Sequence, residues 1–183
     1  TVREFQAKGA ALFTRIAHFP KPILAAITGG AYGGGFELAM SCHLRLMADT
    51  AQLALTEVRL GIIPGWGGTQ RLPRLIGRTK AMEYLLTGDR INAQDALIYG
   101  LVNRVCAKAE LLAEAKALAA RLAKGAPLAM RAIIDSVARG LDVTLEEGMK
   151  VESAHALEVG QTEDALTGIM SFAQRVEPQF KGK

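Results

Sequence analysis

Cysteine is scarce in this chain: Cys42 and Cys106 are the only two among 183 residues. Two thiols build no disulfide framework, and neither belongs to a Cys-x-x-Cys pair. The three histidines, His18, His43 and His155, stand far apart without metal-ligand spacing, so no metal is expected. Aromatic residues make up 5% of the chain, which argues against an aromatic cage and against a surface that stacks nucleic-acid bases. Long apolar runs are missing too. Residues 23–27 are among the longest and are far too short to span a bilayer, and no charged-then-apolar leader opens the sequence. These absences give the expectation of a soluble, cytoplasmic protein with no membrane partner and with nucleic acid disfavoured.

What is present points to a packed fold. Half the residues are hydrophobic and 22% are charged, so a core is expected rather than disorder. The length suits one domain, or one with an appendage. A net charge of +4 suits an anionic ligand, and equally a solvated basic surface. Glycine is in excess at 19 residues, most of the surplus in two clusters.

Residues 2–19 read as a helix with an apolar stripe of Phe5, Leu12, Ile16 and Phe19, ended by Pro20 and Pro22. Residues 23–27 read as a buried strand. The first glycine cluster, Gly29-Gly-Ala-Tyr-Gly-Gly-Gly35, follows, and Phe36-Glu-Leu-Ala-Met40 resumes as helix. Strands are predicted at 44–48, 52–55 and 101–105, and helices at 69–76, 79–86 and 93–99, the last capped by Asn92. The second cluster is Pro64-Gly-Trp-Gly-Gly68. Beyond residue 107 only helices are predicted. One stripe runs from Leu111 to Leu122. Another comprises Met130, Ile133, Ile134 and Val137 behind Pro127. A capping box stands at Thr144–Glu147, and a last helix opens at Thr162. The chain therefore divides into an α/β part, 1–107, and a helical part, 108–183.

Bare backbone between a strand and a helix aims free N–H groups at whatever approaches, and the helix dipole favours negative charge there. The dinucleotide and phosphate-loop patterns do not fit the first cluster. Close helix–strand packing would explain it as well. Glu37 and Glu57 sharpen the choice. Each lies among apolar residues beside a glycine cluster. A desolvated carboxyl can carry a proton near neutral pH, and two of them beside an anion-stabilising loop suit general acid–base chemistry. The plainer readings are a dipole partner for Glu37 and a surface ion pair with Arg59 or Arg71 for Glu57. Ser41-Cys-His43 looks like a nucleophile with a base, but consecutive helical residues do not face one another, so packing roles are expected. Arg71, Arg74, Arg78 and Lys80 read as a solvated basic face. Trp66 reads as core or pocket lining.

Lys21-Pro-Ile-Leu-Ala-Ala-Ile, Gly33-Gly-Gly-Phe-Glu-Leu-Ala-Met, the run from Glu57 through Pro64-Gly-Trp-Gly-Gly-Thr-Gln-Arg-Leu-Pro-Arg74, Leu86-Thr-Gly-Asp-Arg-Ile91, and the ending from Thr162 to Phe180 resemble the enoyl-CoA hydratase/isomerase (crotonase) superfamily, in the same order. The resemblance implies an α/β superhelix of ββα units with a C-terminal helical region that forms homotrimers or dimers of trimers. It implies acyl-CoA substrates, coenzyme A entering as part of the thioester and no other cofactor. It assigns Glu37 and Glu57 to the two acids of the hydratase branch, Gly33 and Gly34 to the loop that meets the thioester oxygen, and Gly65 to the hold on the reacting water. The implied reaction adds water to a trans-2-enoyl thioester in fatty acid β-oxidation. The alternatives are an isomerase, which tends to need one acid, and a non-catalytic or RNA-binding member. The family's upstream α/β segment, with the second oxyanion N–H and much of the adenine site, is expected to be missing from these residues. His43 stands where the family often has Asp, and Leu53-Ala-Leu-Thr56 departs from the frequent aromatic- and proline-containing version.

Overall fold

The computed structural model describes all residues, 1–183, and its Cα packing falls into two compact units: Thr1–Ala17 with Ile23–Lys116, and His18–Pro22 with Ala117–Lys183. The first holds helices α1 (Val2–Ala17), α2 (Gly34–Ser41), α3 (Gly68–Ile76), α4 (Arg78–Thr87) and α5 (Ala93–Ile98). Its strands are β1 (Leu24–Ile27), β2 (Gly30–Tyr32), β3 (Leu44–Ala48), β4 (Gln52–Ala54), β5 (Ile91–Asn92) and β6 (Arg104–Cys106). Helix α6 (Leu111–Ala123) leads into the second unit, which holds α7 (Pro127–Gly140), α8 (Leu145–Gly160) and α9 (Glu163–Gln174).

The strands form two small sheets, ordered β1-β3-β6 and β2-β4-β5. The first is parallel throughout, with Ile27 opposite Met47 and Met47 opposite Val105. Parallel neighbours require a crossover. Between β1 and β3 the crossover is the single strand β2 followed by the helix α2. Leu46, Met47 and Ala48 are fully buried, as befits a short apolar strand covered on both faces. Burying a side chain such as Phe36, Leu46 or Met47 contributes about 1.5–3 kcal/mol. Arg45 shares that strand and is buried as well. Its guanidinium donates to the carbonyls of Leu101, Ala39 and Cys42, so its charge is dispersed over peptide oxygens.

Several sequence-based boundaries move. The first helix ends at Ala17. The face that meets Trp66 carries Phe5, Gly9 and Phe13, of which Phe13 is buried, while Phe5 is 63% and Leu12 52% exposed. The expected stripe of Phe5, Leu12, Ile16 and Phe19 left out Phe13, the buried residue of this helix. The first glycine cluster contains β2, a strand made by backbone pairing to β4 rather than by side-chain pattern. Two residues, Ile91 and Asn92, pair with β4 as β5, which is too short to leave a periodic signal. The last strand of this unit starts at Arg104; Leu101 and Val102 are buried in a bend ahead of it. Asn92 caps α5 as expected, accepting from Asp95 N–H at 2.8 Å.

In the second unit, Pro127 opens α7, and α8 starts with the expected capping box, in which Thr144 and Glu147 satisfy each other's backbone N–H. The helices approach closely where Gly140 meets Gly148, and Asp135 bonds His155 at 2.8 Å. The α7 stripe is only partly used. Ala132 is buried, whereas Ile133 and Val137 are exposed. Apolar spacing defines a stripe and leaves open whether the same chain covers it. Helix α9 ends at Gln174, where Arg175 takes the left-handed conformation. No helix is long and apolar enough to cross a membrane.

Candidate active site

The β2–β4 register builds the site. Tyr32 stands opposite Ala54, and the N–H of Gly33 donates to the Ala54 carbonyl at 2.9 Å. Three residues beyond Ala54 lies Glu57, the first residue of a short 3-10 helix, Glu57–Leu60. The chain geometry thus delivers Glu57 to Gly33: a Cβ on Gly33 would stand 3.0 Å from Glu57 Oε1. Gly33 has φ 52°, a conformation glycine adopts without strain. It is the N-cap of α2, so Gly34 and Gly35 are the first helical residues, whose N–H groups have no intrahelical acceptor.

Glu37 lies one turn along α2 and is 2% exposed. Its Oε1 accepts two backbone N–H bonds, from Trp66 at 2.8 Å and from Gly68 at 2.7 Å. Gly68 allows that approach, since a Cβ there would sit 3.1 Å from the same oxygen and nearer still to Pro64. The second glycine cluster is therefore a carboxylate cradle that opens α3. Arg71, half-buried, donates to the Trp66 carbonyl at 2.7 Å and closes the cradle from behind. Burial pulls its guanidinium below the ordinary range, while the charge of Glu37 acts in the opposite direction.

Glu57 is held differently. Its Oε2 is buried and has no hydrogen-bond partner. Loss of water pushes the carboxyl above its ordinary value near 4.5; its own backbone N–H pulls it back, and the negative charge of Glu37 adds to the rise. The two acids, twenty residues apart in sequence, are thus electrostatic neighbours. The sequence-based alternative for Glu57 does not hold: Arg59 pairs with Asp89 at 2.8 Å, and Arg71 serves the Trp66 carbonyl. Arg71 is likewise no member of a solvated face.

Gly65 sits at the exposed tip of the cradle, beside the Gln6 side chain of α1. Gly34 lies under the ring of Trp66, with Phe5 and Phe13 edge-on to that ring at 5.2 and 5.4 Å. So Gly33, Gly34, Glu37, Glu57 and Gly65 gather around one pair of loops. Ser41 and Cys42 turn back onto the carbonyls of Glu37 and Leu38, and His43 Nδ1 accepts from Ile23 N–H, which ties α2 to β1. The backbone donors of Trp66 and Gly68 escaped sequence reading. The available signal was a glycine cluster placed for close approach, next to a helix start.

The profile described as "Enoyl-CoA hydratase/isomerase" matches residues 2–183. The chain belongs to the enoyl-CoA hydratase/isomerase family. It is 45% identical over 178 residues to a probable enoyl-CoA hydratase of Bacillus subtilis (strain 168), covering 96% of this chain and 69% of that protein. It is 40% identical to the carnitinyl-CoA dehydratase of Proteus mirabilis (strain HI4320), covering 98% and 70%. The crystal structure of an enoyl-CoA hydratase from Bacillus anthracis superposes with a TM-score of 0.97 at 40% identity, over 100% of this chain and 70% of that one. The expected fold of this hydro-lyase family, α/β with a helical C-terminal region, is thereby established for the chain.

Proposed function

We propose that this member of the family hydrates trans-2-enoyl-CoA thioesters, and by reversal dehydrates 3-hydroxyacyl-CoA, with Glu37 and Glu57 as its acid–base pair. The observation that carries the reading is the asymmetry between them. Glu37 is fixed through Oε1 by two N–H donors, which leaves its other oxygen to orient a water. Glu57 keeps Oε2 unpaired, and loss of water raises its carboxyl above the ordinary value, which suits a group that takes up and returns a proton. The water oxygen bonds to the β-carbon, one of its protons passes to the carboxylate pair, and the α-carbon takes up a proton from the pair. Charge that develops on the thioester oxygen meets the N–H of Gly34 at the start of α2, beside Gly33. Removing one such donor typically costs about 3–4 kcal/mol of barrier. Gly65 lines the water side.

Coenzyme A enters as part of the substrate, with no separate cofactor. The finer setting belongs to the same proposal: fatty acid β-oxidation in the cytoplasm, by a homotrimer or a dimer of trimers. Exposed Leu166, Ile169 and Phe172 on α9, the last 88% exposed, support association through the helical part.

The direct test supplies crotonyl-CoA and follows loss of absorbance from the conjugated thioester. Steady loss with formation of 3-hydroxybutyryl-CoA is expected. Conversion of a 3-enoyl-CoA without hydration of the 2-enoyl isomer would instead assign an isomerase.

A further inference from the structure

The cradle has a weakness that the structure corrects in an unusual way. Three of its five residues, Gly65, Gly67 and Gly68, are glycines, which permit close approach and hold no conformation by themselves. Between Pro64 and Gly68 the only large side chain is Trp66. Its backbone N–H bonds Glu37 Oε1, and its ring occupies the space beside Gly34, where a Cβ would stand 2.5 Å from the indole. Phe5 and Phe13 meet the ring edge-on, and on the α1 side a Cβ at Gly9 would collide with it. One side chain therefore touches the oxyanion residue while its own peptide holds the carboxylate.

The indole Nε1 is buried without an acceptor. A buried unpaired donor is unfavourable, so the ring is retained here for its shape rather than its polarity.

We propose that Trp66 is a positioning residue, its ring wedged between α1 and Gly34 so that the loop N–H groups hold the Glu37 carboxylate in fixed relation to the Gly34 N–H. The inference rests on the hydratase reading for its kinetic part only. A displacement of the order of 1 Å can lower turnover about 100-fold. Trp66→Ala is therefore expected to lower kcat by about that factor with KM nearly unchanged, and Trp66→Phe to restore most of kcat, because the ring returns and the unpaired donor disappears. A merely structural role would lower the melting temperature of Trp66→Ala and leave kcat of the folded fraction intact, which would overturn the proposal.

Two further readouts cover the remaining outcomes. The Gly68 amide proton, bonded to a carboxylate, is expected far downfield in the NMR spectrum of the unaltered protein and of Trp66→Phe, and shifted upfield in Trp66→Ala. An unmoved Gly68 resonance would refute positioning even if the unaltered protein shows no turnover of crotonyl-CoA, a result that by itself removes only the hydratase reading. If Trp66→Ala does not fold, Gly9→Ala presses on the ring from α1, away from the reacting groups. Trp66 is the single tryptophan, so its emission reports the displacement. Emission that moves together with a fall in kcat supports the proposal, and emission that moves with kcat unchanged contradicts it.

Discussion

Each compact unit keeps a carboxylate oxygen out of water, and the two are treated in opposite ways. In the helical unit Asp164 is 3% exposed; Oδ1 accepts from Lys181 N–H at 2.7 Å and Oδ2 from Gly182 N–H at 2.8 Å, while its own N–H donates to the Lys183 carbonyl. Both oxygens are satisfied, and the group staples the last three residues to the start of α9. In the α/β unit Glu57 Oε2 is equally hidden and has nothing to accept from. A buried polar atom without a partner is costly, so it persists where chemistry needs it free. Glu37 lies between the two cases, one oxygen doubly bonded and the other available. On the proposed function, the contrast separates a carboxylate that fastens structure from one kept ready to react.

The largest effect that would break this contrast is on turnover. Glu57→Gln is expected to lower kcat/KM for crotonyl-CoA by about 10²–10⁴-fold, the span of general acid–base catalysis, whereas Asp164→Ala leaves kcat unchanged. Comparable losses from both would erase the distinction. Thermal denaturation should invert the order. Asp164→Ala removes two hydrogen bonds to a charged group, at about 1.5–3 kcal/mol each, and lowers the melting temperature.

A smaller effect sharpens the picture of the cradle. Gly68→Ala puts a methyl group against Pro64, Leu55 and Glu37 Oε1, and overpacking of this kind costs about 1–3 kcal/mol. Both the melting temperature and kcat should fall. A fall in stability alone would separate the cradle from catalysis.

The next effect is a dependence on pH. An acid whose folded value lies above its unfolded one binds more protons when folded, so stability is lost as pH rises from the ordinary value near 4.5 through the folded one. Glu57→Gln should therefore melt higher than the unaltered protein at pH 7, with the gap closing as pH falls below about 4.5. A gap that widens on acidification would contradict the desolvated state of Glu57. The smallest expected change is Thr144→Ala, which removes one cap of α8 and costs about 1 kcal/mol without touching the site.

The helices were legible from sequence because their signals are local. Pro127, Thr144, Thr162 and Asn92 mark starts through side-chain chemistry, and Gly88 marks an end by its left-handed conformation. Strands β2 and β5 were not, because pairing with β4 defines them and no side-chain period does. The same divide runs through the site. Glu37 and Glu57 could be chosen from apolar flanks and adjoining glycines. That Glu57 comes beside Gly33, within electrostatic reach of Glu37, follows from the Tyr32–Ala54 register, a long-range fact. The donors to Glu37 are peptide groups of Trp66 and Gly68, and backbone donors leave no residue-type signature. Arg71 read as solvated for a related reason: sequence shows its charge and not the carbonyl it serves.

The most direct test of the central claim is a cycle of Glu37→Gln, Glu57→Gln and the double variant, with kcat for crotonyl-CoA hydration measured on each. Groups that work on one water as a unit lose most of their effect at the first substitution. The double variant is therefore expected to be little slower than the slower single one. Losses that multiply, or either single variant turning over at the unaltered rate, would contradict a shared site.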